Sequence, residues 1–109
     1  MTPEIIAAIQ RIVRVFPDEV PENIPLPYGY YSYTSSAIHT KDGIAGYEGV
    51  LSISVVAKTK ANATELSNQL IAALSGKSFG KVTLLFAEVQ ESEFAETGLS
   101  AAELNFNYF

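Results

Sequence analysis

Residues 47–58 constrain the fold more than any other stretch, because apolar and polar side chains alternate along the whole run. The apolar set is Tyr47, Leu51, Ile53, Val55 and Ala57, and the polar set is Glu48, Ser52, Ser54 and Lys58. A period of two predicts a long strand with one face turned toward a core. The fold must therefore contain a sheet, and this strand needs a neighbour to pair with.

A helix is predicted directly after this strand. Asn62 is followed three residues later by Glu65, which is the spacing of a capping box at a helix start. An apolar stripe then recurs at helical spacing at Leu66, Leu70, Ile71 and Leu74. Gly76 is suited to end this helix, and we expect the apolar stripe to pack on the sheet.

The N-terminal residues predict a second helix. Thr2, Pro3 and Glu4 offer a hydroxyl cap, a proline at the first helical position and an acid near the positive end of the helix dipole. The apolar residues that follow at helical spacing are Ile5, Ile9, Ile12, Val13 and Phe16. Pro17 is expected to stop the helix, and the prolines between residues 17 and 27 predict an extended connector.

Three further strands complete the predicted sheet. Residues 28–37 are expected to pair as a hairpin with the strand at 47–58, through the turn segment "HTKDGIAG". Residues 82–89 and 102–108 are the other two strands, and "GKSFGK" is predicted to be a loop. The order α-β-β-α-β-β predicts a two-layer α+β fold, a mostly antiparallel four-stranded sheet with two helices on one face. At 109 residues, we expect a single domain over residues 1–109.

Side chains suited to catalysis or metal binding are few. The chain has no cysteine, so disulfides, thiolate nucleophiles and cysteine-bound metals are excluded. His39 is the only histidine and lies in the predicted turn, so we expect a solvated residue, no metal and no cofactor. Gly43, Gly46 and Gly49 are interpreted as turn residues, because no helix start follows them to hold a phosphate. An enzyme built around His39 is the weakest hypothesis.

The charge of the chain is acidic, with a formal net charge of −5. This disfavours general nucleic-acid binding, which requires lysine and arginine to displace counterions from phosphates. From residue 82 onward there is no lysine or arginine, and the acids are Glu88, Glu91, Glu93, Glu96 and Glu103. One interpretation is a solvated acidic face, and another is a surface past which DNA slides without binding. The acidic N-terminal turn and the lack of a long apolar run predict a cytoplasmic protein without membrane contact.

The stretch "YGYYSY" concentrates four tyrosines, and alternation along a strand divides them into two pairs. Tyr28 and Tyr30 share one face, and Tyr31 and Tyr33 share the other. One pair is expected to belong to the core. The other pair would lie on the face without helices, where it is interpreted as ordinary surface, as part of a protein interface or as a platform for a small ligand.

The order of these features resembles the tail-completion family of long-tailed phages and prophages, also called tail-terminator or head-tail joining proteins. The resemblance covers nearly the whole chain. It is carried by the short N-terminal helix, the lead into "PLPYGYYSY", the unit "GYEGVLSISVVAKTKANATELSNQLIAALSG" and the closing strand "AAELNFNYF".

The resemblance implies a structural protein that is not an enzyme. Such subunits form a ring, commonly a hexamer, that caps the tail tube and joins it to the head connector. The implied partners are other copies of this chain, the tail tube protein and the head-connector protein, with DNA only passing through. The implied location is the tail or neck of a virion assembled in the cytoplasm of a bacterial host.

Ring closure requires two different patches on each subunit, and the sequence suggests candidates for them. The candidates for the subunit interface are Tyr28, Tyr30, Tyr31, Tyr33, His39, Lys41 and Asp42, together with the edge strands. The candidates for an acidic surface facing the lumen are Glu88, Glu91, Glu93 and Glu96. Two alternatives stay open: a head-closure or tail-tube protein, and a monomeric ligand-binding or regulatory module that uses the tyrosine-rich face.

Overall fold

The computed structural model describes residues 3–17, 23–80, 82–93 and 97–109, with side chains described throughout these ranges except at residues 45–47. Within these residues, two helices and six strands follow one another along the chain. They are α1 (Pro3–Gln10), β1 (Val15–Pro17), β2 (Tyr28–Thr40), β3 (Gly43–Ala57), α2 (Lys60–Leu74), β4 (Lys77–Phe79), β5 (Val82–Glu93) and β6 (Ser100–Tyr108).

The described strands form one mixed sheet in the order β1-β2-β3-β6-β5-β4. β1 pairs with β2 in parallel, and every other neighbouring pair is antiparallel. The α+β class is confirmed, but the prediction of a four-stranded sheet is wrong. The four central strands are the predicted ones, and the additional strands are three residues each, one at either edge. Segments this short are too brief to show a period of two in the sequence.

The first helix is shorter than predicted. α1 ends at Gln10, and the chain turns so that residues 15–17 join the sheet as β1. The Gln10 side chain stabilises this change of direction, because its Nε2 donates to the Val15 carbonyl at 3.0 Å and its Oε1 accepts from the Val15 amide at 3.4 Å. Phe16, predicted as a helical residue, is therefore a strand residue opposite Tyr30. The predicted cap at Thr2 lies outside the described residues.

The second helix begins earlier than predicted. Its N-cap is Thr59, whose hydroxyl oxygen accepts a hydrogen bond from the Asn62 amide at 3.2 Å. Asn62 is thus a residue of the first turn and not the cap. The predicted end is confirmed, since α2 stops at Leu74 and Gly76 follows in the left-handed region at φ 74°. In the part of the chain that the structure describes, no helix is both long and apolar enough to cross a membrane.

The core lies between the helices and one face of the sheet, which we call the helix-side face. Alternate residues of β3 and β6 are fully buried there, and the largest is Phe106. Phe106 packs edge-on against Phe86 of β5, with ring centroids 5.7 Å apart. Ile5 and Ile9 of α1 and Leu70 and Leu74 of α2 belong to the same cluster. The opposite side of the sheet is called the open face.

Candidate functional site

β2 and β3 extend past the rest of the sheet as a two-stranded arm. β6 stops pairing with β3 at the Gly49–Tyr108 pair, so residues 36–48 pair only within the β2–β3 hairpin. We call residues 36–48 the arm. The described residues span 53 × 23 × 22 Å, and the arm contributes to this elongated shape. Ile38 and Ile44 of the arm are 39% and 55% exposed.

The end of the arm is a tight turn, much shorter than the turn segment "HTKDGIAG" that the sequence predicted. β2 continues to Thr40 and β3 begins at Gly43, so only Lys41 and Asp42 connect them. The Thr40 hydroxyl accepts from the Asp42 amide at 3.3 Å and donates to the Gly43 carbonyl at 3.1 Å. Gly43 has φ 112°, a conformation in which a side chain would be strained. The predicted interface residues His39, Lys41 and Asp42 therefore lie together, all exposed, at the end of the arm.

The four tyrosines follow the predicted alternation. Tyr28 and Tyr30 lie opposite Val56 and Ser54, on the open face. Tyr31 and Tyr33 lie opposite Ile53 and Leu51, on the helix-side face. Burial does not divide by pair, however, because Tyr31 is half-buried against the core while Tyr33 is 49% exposed. Tyr30 is 37% exposed and Tyr28 is half-buried, so each face presents one exposed phenol.

A close contact across three strands fixes the base of the arm. Tyr108 of β6 lies over Gly49 of β3, and its hydroxyl donates to the Thr34 carbonyl of β2 at 2.5 Å. A Cβ atom on Gly49 would overlap the Thr34 carbonyl oxygen and would lie 2.6 Å from the Tyr108 hydroxyl oxygen. The prediction that Gly49 is a turn residue is therefore wrong, since it is a strand residue over which an aromatic side chain passes. A glycine inside an alternating strand is itself a sign of such a close approach.

A row of hydrogen-bonded polar side chains crosses the open face of the central strands. The Ser52 hydroxyl donates to Asn105 Oδ1 at 2.6 Å, and Asn105 Nδ2 donates to Glu88 Oε1 at 3.4 Å. These bonds link β3, β6 and β5 side by side. Glu103 lies two residues from Asn105 on β6 and points to the same face. Neither lysine nor arginine occurs in β2, β3, β5 or β6, so the charged side chains of Glu88 and Glu103 have no cation from these strands beside them.

The predicted acidic residues do not form a single surface. β5 has a register shift between Phe86 and Glu88, after which Glu88 lies opposite Asn105 while Glu91 and Glu93 lie opposite Ala102 and Ser100. Glu88 is thus on the open face, and Glu91 and Glu93 are on the helix-side face.

Glu91 contacts the start of α2. Its carboxylate accepts from the Thr64 hydroxyl at 3.2 Å and lies 3.8 Å from Lys60 Nζ. Glu96 lies outside the described residues, so the structure places three of the four candidate acids.

Two of the surface grooves formed by the described residues lie at the start of α2 and at the base of the arm, and neither is lined by the four tyrosines of β2. The first lies at the start of α2 and includes Lys60, Glu91 and Glu93. The second lies at the base of the arm and includes Thr34, Leu85 and residues 107–109. Tyr28, Tyr30, Tyr31 and Tyr33 line neither groove. Among the described residues, no group of three or more histidines, cysteines and acids is placed to hold a metal ion.

Comparison with known proteins gives a structural match. No protein-family model matches the sequence, and no curated protein gives a significant match. The fold is similar to that of a chain in the virion of a native gene transfer agent (GTA) particle, with a TM-score of 0.69 and 21% sequence identity. The match covers 98% of this chain and 84% of that chain. At this level of identity, the similarity shows a shared fold.

Proposed function

We propose that this chain is a structural subunit of a phage-like particle. The observation that carries the proposal is the similarity over 98% of the chain to a protein of a GTA virion. The match includes the central sheet and both helices, and it agrees with the family resemblance that the sequence suggested independently. The exposed arm supports the same conclusion, because a hairpin without a core of its own is marginally stable in water unless another surface packs against it.

Within such a particle, we propose that the chain acts as a tail terminator. It would form a ring on the end of the tail tube and offer its other side to the head connector. This finer assignment is supported by the order of sequence features and by the several different exposed surfaces of the subunit. The arm and the two sheet edges provide the unlike patches that a closed ring of identical subunits needs. We propose that the subunit acts by assembly, without catalysis.

The open face is our candidate for the surface that passes DNA. Its polar side chains include Ser52, Asn105 and Glu88, and the four long strands contribute no lysine or arginine. Strands without lysine or arginine gain little from releasing counterions from phosphates, so DNA would slide along them instead of binding. Of the candidates for an acidic surface facing the lumen, we assign Glu88 to the open face. Glu91 and Glu93 are not assigned to it, because they lie on the helix-side face.

Deleting the gene in a host that produces the particles tests the proposal. We expect filled heads without attached tails, together with free tails of irregular length, when the particles are viewed by negative-stain electron microscopy. A plasmid copy should restore joined particles. An epitope-tagged copy should be found by gold labelling at the junction of head and tail.

The alternatives give different images. Loss of all tails would indicate a tail-tube protein. Tails of normal length beside emptied heads would indicate a head-closure protein. Normal infectious particles without the gene, and no tagged chain in purified particles, would refute the structural role altogether.

A further inference from the structure

Two strands of the sheet leave long stretches of their outer edge unpaired among the described residues. β1 covers β2 only at Gly29–Tyr31, so the outer edge of β2 is free from residue 32 to residue 40. β4 pairs with β5 only at residues 82–84, and the Phe86 amide donates a hydrogen bond to the Ser75 hydroxyl oxygen. The outer edge of β5 is therefore free from residue 87 to residue 93. We call these stretches the β2 edge and the β5 edge. An unpaired edge is a template for a strand from another chain.

The outward-facing backbone groups on the β2 edge follow from the hydrogen bonds. The Gly29 amide donates to the Arg14 carbonyl at 2.7 Å, so it points away from β3. Along an antiparallel strand, successive residues direct their backbone N–H and C=O groups alternately toward one side of the strand and toward the other. Tyr33, Ser35 and Ala37 therefore direct their amide and carbonyl groups outward, and no register shift intervenes before Ile38.

The same reasoning applies to the β5 edge. Thr83 and Phe109 exchange both backbone hydrogen bonds, so Thr83 points toward β6 and the next residue points outward. The register shift after Phe86 inserts one extra residue, which moves the outward set to Val89, Glu91 and Glu93. Each edge thus offers three residues with free backbone groups.

The charges on the two edges favour pairing of a β2 edge with a β5 edge over pairing of two β5 edges. The β5 edge carries Glu88, Glu91 and Glu93, so two copies of it side by side would place acids against acids. The β2 edge carries no acid, lysine or proline, and its outward residues include the hydroxyls of Tyr33 and Ser35. Natural edges usually carry a protecting charge or proline, and the β2 edge lacks both. Hydroxyl groups are hydrogen-bond donors that suit carboxylates.

We propose that the β2 edge of one copy pairs with the β5 edge of the next copy, in an antiparallel register that places Ser35 opposite Glu91. This inference rests on the proposed function and names the contact that builds the ring. The same register places Tyr33 opposite Glu93 and Ala37 opposite Val89. The acids of the β5 edge then meet hydroxyl donors, the two apolar side chains meet each other, and about six backbone hydrogen bonds form.

The geometry of the single subunit fits this register. β2 and β5 run in opposite directions in the sheet, so copies related by rotation about an axis along the strands pair in the antiparallel sense. Tyr31 and Val89 lie in one row across the sheet, because each is linked to the other through the paired residues of β3 and β6. From this row, the β2 edge extends toward the arm. The β5 edge extends mainly in the opposite direction, away from the arm.

Pairing Ser35 with Glu91 shifts the neighbour by six residues, or about 20 Å, along the strands. With this shift, β1 and β4 lie beyond the two ends of the contact and do not obstruct it.

The shift also matches what closure of a sheet requires. Each copy adds four strands to the joined sheet, β2, β3, β6 and β5, which are about 19 Å wide in total. A shift of about 20 Å over this width tilts the strands by about 45°, at the upper end of the range found in closed sheets. The helices then lie outside the ring and the open face lines its interior.

Two proline variants test the pairing, because proline removes an outward amide and adds a ring that blocks the neighbour. In Ser35→Pro and Val89→Pro the altered amides make no hydrogen bond within the subunit, and circular dichroism should show a retained fold. Sedimentation of the wild-type protein at high concentration should show oligomers. Each proline variant alone should associate at least about tenfold more weakly. Ser35→Ala and Val89→Ala keep the amides and lose only one side-chain contact, so they should weaken association much less than the matching proline variants do.

A mixture of the two proline variants separates the possible pairings. Ser35→Pro retains its β5 edge and Val89→Pro retains its β2 edge, so an equimolar mixture should form a heterodimer that neither variant forms by itself. If β2 edges pair with each other instead, Val89→Pro alone would dimerise and the mixture would add nothing. That result, or a wild-type protein that stays monomeric at high concentration, would overturn the proposal.

Cysteine crosslinking tests the register, since the chain has no cysteine of its own. Residues in a hydrogen-bonded antiparallel pair have Cα atoms about 5.5 Å apart, which suits a disulfide. Ser35→Cys mixed with Glu91→Cys should give a mixed disulfide dimer under mild oxidation, whereas Ser35→Cys mixed with Glu103→Cys should not. Equal crosslinking in both mixtures would contradict the register.

Particles assembled in the host separate this inference from the proposed function. If Ser35→Pro enters particles at the wild-type level, the edge pairing is wrong while the structural role stands. If the wild-type chain is absent from particles, the structural role is wrong whatever the sedimentation shows.

Discussion

Replacing Gly49 by alanine should destabilise the protein more than any other single-methyl addition to the sheet. The added Cβ would overlap the Thr34 carbonyl oxygen, which belongs to the backbone of the paired strand. It would also lie 2.6 Å from the Tyr108 hydroxyl oxygen. A flexible side chain could move aside, but the Thr34 oxygen can move only if β2 separates from β3.

The size of the effect follows from these two contacts. Steric overpacking in a well-packed region costs roughly 1–3 kcal/mol. Losing the hydrogen bond from Tyr108 to Thr34 adds roughly 0.5–1.5 kcal/mol. We therefore expect Gly49→Ala to lower the free energy of unfolding by about 3 kcal/mol. Tyr108→Phe removes only the hydrogen bond and should cost about 1 kcal/mol.

Urea denaturation followed by circular dichroism measures both changes, with Ser36→Ala on the arm as an exposed control that should stay within about 0.5 kcal/mol of wild type. The double variant is the sharper measurement. In the Tyr108→Phe background, Gly49→Ala should still cost about 2 kcal/mol, because the clash with the Thr34 backbone persists. A Gly49→Ala protein as stable as wild type would refute this account of the base of the arm.

Five further substitutions test other parts of the structure. Thr59→Ala removes the N-cap of α2 and should lower the free energy of unfolding by about 1 kcal/mol in the same urea assay. Phe106→Ala empties the centre of the core and should cost roughly 3–5 kcal/mol, which would leave little folded protein at 37 °C. Tyr31→Ser should lower the melting temperature clearly, whereas Tyr30→Ser on the open face should change it little, and equal effects would contradict the assignment of faces. His39→Ala should leave the free energy of unfolding within about 0.5 kcal/mol of wild type in the urea assay, and loss of an enzymatic activity in this variant would revive the enzyme hypothesis.

The sequence predicted those elements whose signals are long and periodic. The alternation at 47–58 corresponds to β3, and its inward residues Leu51, Ile53 and Val55 are fully buried. The stripe of α2 and its end at Gly76 were also predicted. These signals are reliable because apolar residues must recur at a fixed spacing over many residues to cover a core.

The elements that the sequence missed depend on contacts distant along the chain. β1 and β4 are three residues long, and each exists because a longer strand offers it an edge. The length of the arm was missed for a related reason, since "HTKDGIAG" contains glycines typical of a loop. In the structure, β2 and β3 pair with each other through most of this segment, so that only Lys41 and Asp42 lie outside the two strands.

The bulge in β5 shows how one inserted residue decides which surface an acid serves. Leu84 and Phe86 point toward the core, so unbroken alternation would place Glu88 on the helix-side face with them. The register shift turns Glu88 to the open face instead, where Asn105 donates to it, and places Val89 on the helix-side face. Alternation in the sequence cannot reveal a bulge, because the pattern of polar and apolar residues does not record which residue is inserted. The same shift aims the amides of Val89, Glu91 and Glu93 outward. The inserted residue, Ala87, therefore turns Glu88 to the open face and also sets the register at which a neighbouring copy would pair.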